Sequence, residues 1–178
     1  MSSADIDGAA GRLMDSKLCR VTSITAAPGR LSFDRLDEAL AFPVPTEARA
    51  AIRLGKDIEH LSQYILRVRN LKPDTYQLTI DDQKVATVTA RDLQQGWNMG
   101  TMEGGPIAEQ CRAILAEIAR KDELVKTWRE ASRKQAAAPG AKVSQRLDEL
   151  TARVEAADTA IRAAAQPVQR RCTLTMIP

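Results

Sequence analysis

The chain is short of the residues that do most protein chemistry. It has one histidine and three cysteines, and aromatic residues make up only 3% of it. The cysteines, Cys19, Cys111 and Cys172, stand far apart with no Cys-x-x-Cys pair. A structural zinc site needs about four ligands, presented in close pairs, so this set excludes one. No Gly-x-Ser-x-Gly or Gly-Asp-Ser block occurs, and no phosphate loop with its Lys and Ser/Thr. No apolar run approaches the roughly 20 residues that a membrane span needs. The first eight residues have neither a basic start nor an apolar stretch, so they do not form a signal peptide. As given, the chain is expected to stay in the cytoplasm. No cofactor, metal, membrane or nucleic-acid partner is expected.

What is present is ordinary for a packed protein. The chain has 178 residues, 44% of them apolar, and a formal net charge of +3. That length can bury a core without disulfides or metals. Basic and acidic residues are interleaved, which describes a solvated mixed surface. A nucleic-acid surface would need a one-sided basic patch with aromatics, and a cluster such as Arg170-Arg171 is too small for one.

The first part of the chain reads as strands and turns. Leu18–Ile24 is rich in apolar and β-branched residues and predicts a part-buried strand. Pro28-Gly29 marks a turn, after which Leu31, Phe33 and Arg35 fall on one face of an alternating segment. Phe42-Pro43-Val44-Pro45 must be largely extended. Thr46 is placed to cap a short helix over Glu47–Leu54, although Arg49 leaves the capping box incomplete. The strongest β signal lies further on. Tyr64, Leu66 and Val68 share a face, as do Tyr76, Leu78 and Ile80. With Lys72-Pro73-Asp74 and Asp81-Asp82-Gln83 as connections, the segment up to Val88 predicts a three-strand meander. Thr89 is placed to cap one helical turn, which Gly96-Trp97-Asn98-Met99-Gly100 ends.

Two long helices follow. The first is expected from about Pro106 to Lys134, with Ile107, Cys111, Ile114, Ile118, Val125 and Trp128 on its seam. The second is expected from about Ala141 to Gln166, where Val143, Leu147, Leu150, Val154, Ala157, Ile161 and Ala164 repeat four-three without a miss. Ala136-Ala137-Ala138-Pro139-Gly140 breaks the two apart, which predicts an antiparallel helical hairpin. Arg171–Ile177 then alternates and is expected to return to the sheet. The expected fold is α+β: a small antiparallel β-sandwich-like domain (1–104), a long helical hairpin (105–166) and a C-terminal strand (167–178) back on the β-domain.

Candidate chemistry is thin. Asp57-Ile58-Glu59-His60 spells Asp-x-x-His, but no serine nucleophile or oxyanion hole accompanies it. Asp37-Glu38, Asp81-Asp82 and Asp148-Glu149 are adjacent pairs whose side chains point apart, unsuited to acid–base work. Asp81-Asp82 reads as a turn, and Gly104-Gly105-Pro106 as a change of direction rather than an anion cradle. Trp97 and Trp128 read as packing residues, Cys111 and Cys172 as small buried hydrophobes. No catalytic, cofactor-binding or metal-ligating residue is assigned.

The order of segments nevertheless resembles a known region. Cys19-Arg20-Val21-Thr22, Leu31-Ser32-Phe33, Phe42-Pro43-Val44-Pro45, Tyr64–Val68, Leu71–Tyr76, Ile80–Val85, Gly104–Ile107 and Lys121–Arg129 follow one another as in the C-terminal accessory region of SGNH/GDSL-type hydrolases of planctomycete-like bacteria. The likeness runs from about Cys19 to Ile177. It implies a β-rich segment and a helical stretch that follow an esterase core, often in an exported protein. The family's Gly-Asp-Ser, oxyanion-hole and Asp-x-x-His blocks lie upstream of this region. Asp57, His60 and Gly96-Trp97-Asn98 therefore do not inherit those roles. The resemblance implies a noncatalytic module whose partner is an SGNH catalytic domain. A free-standing binding or assembly module, self-associating through the helical hairpin with Leu115 and Leu124 as spare apolar residues, is the alternative. An esterase using His60 is the remote one.

Overall fold

A computed structural model describes residues 2–45, 48, 62–138 and 140–177. Among these, the protein is mixed α+β, with nine strands in two sheets and three α-helices. The strands are β1 (Ser2–Asp7), β2 (Arg12–Lys17), β3 (Cys19–Ala27), β4 (Arg30–Asp37), β5 (Tyr64–Arg69), β6 (Thr75–Ile80), β7 (Gln83–Thr89), β8 (Trp97–Asn98) and β9 (Arg170–Ile177). The helices are α1 (Ala90–Gln95), α2 (Gly105–Ala137) and α3 (Ala141–Ala164). By contact density the chain divides into two compact units, one of Met1–Cys111 with Pro167–Pro178 and one of Arg112–Gln166.

The first unit holds both sheets. One has the order β2-β1-β5-β8, with β1 and β5 parallel and the other neighbours antiparallel. The other has the order β3-β4-β9-β6-β7 and is antiparallel throughout. Leu18, with a φ of 50°, is the single residue between β2 and β3, so the chain passes from one sheet to the other at this corner. Alternation sets which side chains face inward. Ala4 and Ile6 of β1, Leu66 and Val68 of β5, Leu31 and Phe33 of β4, Leu78 and Ile80 of β6, and Cys172 and Leu174 of β9 form one buried cluster. Ile107 and Cys111, from the first turns of α2, belong to it too.

Two features differ from the sequence expectation. The Tyr64 strand does not form a meander with the two that follow. It pairs with β1 and β8, while β6 pairs with β7 and with β9. Alternation fixes a strand's inner face but not its neighbour, and the connection through Asn70 (φ 58°) leads to the other sheet. The β1 and β2 strands fall in the part of the chain that reads as strands and turns, but Ser-Ser-Ala-Asp-Ile-Asp carries too little apolar bulk to place β1, which the burial of Ser2, Ala4 and Ile6 reveals. The C-terminal strand returns to a sheet as expected, and lies between β4 and β6 inside the larger one. The expected helix over Glu47–Leu54 and its Thr46 cap fall largely outside the described residues.

The β6–β7 hairpin closes through Asp81 and Asp82, whose φ values of 48° and 64° both lie in the left-handed region. A two-residue turn of that hand matches the twist of the strands, and aspartate tolerates it better than most side chains. Asp81 is also held from outside. Its Oδ1 accepts the Arg171 amide at 2.9 Å and its Oδ2 the Arg170 guanidinium at 2.8 Å. Thr89 caps α1, its Oγ1 accepting the Asp92 amide at 3.1 Å and donating to the Asp92 carboxylate at 2.7 Å.

The second unit holds most of α2 and all of α3. Every expected seam position of α3 is buried or half-buried, with Leu150 and Ala157 fully so. On α2, Ile114 is buried, but Ile118 stays 36% exposed. The Trp128 indole donates to Thr151 Oγ1 at 2.9 Å, and Lys121 pairs with Asp158.

Leu78 has no exposed surface, whereas Met14 is exposed on β2. Leu78→Ala is expected to cost about 3 kcal/mol of stability and Met14→Ala less than about 0.5 kcal/mol, read by urea denaturation.

Candidate functional site

The buried polar groups of the first unit gather around Arg35. This residue sits on the inner face of β4 with Leu31 and Phe33, as the alternation expects, yet its side chain is only 1% exposed. A buried guanidinium needs partners for its donors. Asp37, two residues on and therefore on the same face, takes its Nε at 3.0 Å and its Nη2 at 2.8 Å. Two further donors reach the other sheet. Nη2 donates to Ser2 Oγ of β1 at 2.9 Å and Nη1 to the Ile65 carbonyl of β5 at 3.0 Å. The Tyr64 ring lies beneath, its centroid 4.9 Å from the guanidinium carbon.

The charges around this cluster follow from burial. Burial works against the Arg35 cation, but the hydrogen bonds and charge of Asp37 outweigh it and hold its pKa above the usual value. Tyr64 donates its hydroxyl to the Ala39 carbonyl at 3.0 Å. Burial first, and the Asp37 charge second, raise its phenol, so it stays neutral. Burial likewise pushes the Cys172 thiol up to about 12 and raises Cys19, whose thiol donates to the Ser3 carbonyl at 3.2 Å. A thiol held neutral is a poor nucleophile. Arg35, Asp37 and Tyr64 are committed to one another and to backbone carbonyls. The space they line, with Leu40, Met99 and Cys172, is only about 10 Å³. That is near the least that holds one water. The cluster joins the sheets, and the space between its side chains is too small for a substrate, although Ser2 and Tyr64 also border a hollow of about 220 Å³.

Open space lies elsewhere. A cleft of about 380 Å³ occupies the end of the two sheets where three connections meet. The β1–β2 turn contributes Gly8 and Ala9, the β3–β4 turn Ala27, Pro28, Gly29 and Arg30, and the β5–β6 connection Asn70, Leu71 and Lys72. Hydrogen bonds brace these turns against the sheets. The Gly8 amide donates to the Arg69 carbonyl and the Met176 amide to the Gly29 carbonyl. Asn70 donates to the Asp7 carboxylate at 3.1 Å, and Tyr76, at the cleft's side, donates its hydroxyl to the Lys72 carbonyl at 3.2 Å. Gly8 has no space for a side chain, since a Cβ would stand 2.7 Å from Leu71 Cδ2. Amides of Ala10 and Ala9 and the Asn70 side chain lower the Asp7 pKa despite slight desolvation, the Ala10 amide most, so the turn's anchor stays ionised.

The residues singled out by sequence are scattered. Asp57 and His60 lie outside the described residues. Asp81-Asp82 forms the hairpin turn described above. Of the Asp37-Glu38 pair, only Asp37 enters the buried cluster. Asp148 and Glu149 are exposed on α3. Trp97 packs on the core, Cys111 and Cys172 are buried, and Arg170 and Arg171 are held by Asp81 and Asp34. The Asn98 side chain accepts the Tyr64 and Gly100 amides, which fixes β8 against β5. Among the described residues no three His, Cys, Asp or Glu side chains converge on a metal position. No described helix is long and apolar enough to cross a membrane. Sequence reasoning placed Arg35 on the correct face but missed its partner. The signal was Asp37 at i+2, an opposite charge on the same buried face.

Two outcomes are expected. Arg35→Met, which leaves Asp37 buried and unpaired, is expected to cost about 3–5 kcal/mol, and adding Asp37→Leu to regain most of it, in a double-mutant cycle by denaturation. The thiol of Cys172 titrates near 9.0 when unfolded and at about 12 when folded. Its contribution to stability is therefore full below pH 9 and falls as pH rises from 9 towards 12. Denaturation in that window is expected to show a steeper loss of stability for the parent than for Cys172→Ala.

No family model matches the chain, and no curated protein matches it significantly. A solved structure does match. It is described as BT4096, a gut microbial diltiazem-metabolizing enzyme. The likeness has a TM-score of 0.81 at 25% sequence identity and covers 99% of this chain and 50% of that one. The chain thus spans half the length of the enzyme chain it resembles.

Proposed function

We propose that this chain is a noncatalytic accessory module of an SGNH/GDSL-type ester hydrolase, and that it packs beside a catalytic domain or shapes access to it. The observation that carries the reading is the likeness of almost the whole chain to half of an enzyme's chain. The ordered segments from Cys19 to Ile177 supply the family context. The chemistry agrees with a scaffold, because the ionisable groups buried at the centre are bound to each other and to backbone. In this reading the two sheets make a β-sandwich and α2 and α3 an antiparallel hairpin. The sandwich is supported by the single buried cluster fed from both sheets. The hairpin is supported by the Trp128–Thr151 and Lys121–Asp158 pairs, in which residue number rises along one helix as it falls along the other.

A second reading is a free-standing assembly module that self-associates through the helices. Exposed Ile118 on α2, beside half-buried Leu115, favours it. Light scattering separates the two: a monomer at every concentration removes self-assembly.

The module reading is tested in two ways. The DNA adjoining this coding sequence is expected to encode a Gly-Asp-Ser domain, in frame or as a neighbour. The purified chain is expected to leave 4-nitrophenyl acetate and butyrate untouched, with His60→Ala no different. Hydrolysis by the parent that is lost in His60→Ala contradicts the reading and establishes the remote esterase alternative.

A further inference from the structure

We propose that the cleft at the turn end of the two sheets binds small organic carboxylates that carry an apolar body. The inference is independent of the accessory-module reading and stands on the cleft alone.

The cleft has the size that a small organic ligand requires. Its volume of about 380 Å³ falls within the range of small-molecule sites, roughly 300–1,000 Å³. Small side chains create the space. Ala9, Ala26, Ala27 and Gly29 leave room where larger residues would fill it. Pro28 and Leu71 add apolar wall.

The walls are also fixed in advance. The Gly8–Arg69, Gly29–Met176 and Asn70–Asp7 bonds tie all three connections to strands, and the buried Tyr76 hydroxyl holds the Lys72 carbonyl. Asn70 and Gly29 keep left-handed φ values of 58° and 70°. A site whose backbone is already ordered does not spend binding energy on ordering it.

Charge selects the ligand's polar end. Arg30 and Lys72 both line the cleft. No ion pair or side-chain hydrogen bond of the described residues engages either of them, so both charges are free to meet a ligand. Two cations without acidic partners on an apolar, concave wall favour an anion whose remainder is apolar. A carboxylate fits the guanidinium fork of Arg30 and the point charge of Lys72. A bare inorganic anion would leave the apolar wall unused.

The test is an amide-resolved NMR titration of the full chain with benzoate, and in parallel with benzamide, which has the same ring and no charge. Benzoate is expected to shift the amides of Ala9, Gly29, Arg30, Asn70 and Lys72 saturably, with a Kd of about 1 mM. Benzamide is expected to bind several-fold more weakly. Arg30→Gln and Lys72→Gln are each expected to weaken benzoate about threefold, and added salt to do the same. Ala27→Trp fills the cleft and is expected to abolish the shifts. Arg30 and Lys72 are exposed, and the dispersion of the spectrum confirms that each variant is folded. Absent or non-saturating shifts, shifts centred away from the cleft, equal binding of benzamide, or indifference to both charge substitutions would each overturn the proposal.

Discussion

The contact on which the first unit depends is the bridge from Arg35 to the opposite sheet. A guanidinium in a core is costly unless every donor that has lost water finds an acceptor. Here the acceptors come from both sheets: Asp37 on the same strand, then Ser2 Oγ and the Ile65 carbonyl across the core. The geometry is therefore satisfied only when the sheets are in one relative position. Apolar contacts tolerate small slides, and a fork of fixed hydrogen bonds does not. The buried cation thus adds positional specificity to the apolar cluster of Phe33, Leu66, Leu78 and Leu174.

Other parts follow from this constraint. With β1 held by Arg35 through Ser2 and by parallel pairing with β5, the first residues of the chain become interior structure. With the sheets fixed, the β1–β2, β3–β4 and β5–β6 connections converge at one end and leave a cleft. The last strand enters between β4 and β6, and its Arg170 and Arg171 reach Asp81 and Asp34. The larger sheet therefore takes a central strand from a segment far along the chain from β4 and β6. The polar groups that bury do so for architecture.

Much of this architecture was legible in the sequence. The strands at Tyr64, Tyr76 and Arg171, the Thr89 cap, the Asp81-Asp82 turn and both long helices each had a local signal in alternation, turn chemistry or heptad spacing. Strand partnership did not. Tyr64-Ile65-Leu66 and Tyr76-Gln77-Leu78 look like neighbours in a meander, and only three-dimensional packing assigns them to different sheets. Ser2–Asp7 escaped notice because two serines and two aspartates mask a strand whose inner face needs only small side chains. The Arg35–Asp37 pair was half legible, since arginine on an inward face ordinarily reaches out to water. The cleft was not legible at all. It is made of glycines, alanines and turns from three separate segments, and no local pattern announces their convergence.

The central claim is that the Arg35 bridge makes the two sheets one cooperative body. Native-state hydrogen exchange measures this directly, through the amides of β1 and β5 on one side and β4, β6 and β9 on the other. The expected result is one shared opening free energy for both sets in the parent protein. In Arg35→Met, the β1 and β5 amides are expected to open separately and earlier. If the two sets already exchange with different free energies in the parent, or keep a common one in Arg35→Met, the bridge does not couple the sheets and the claim fails.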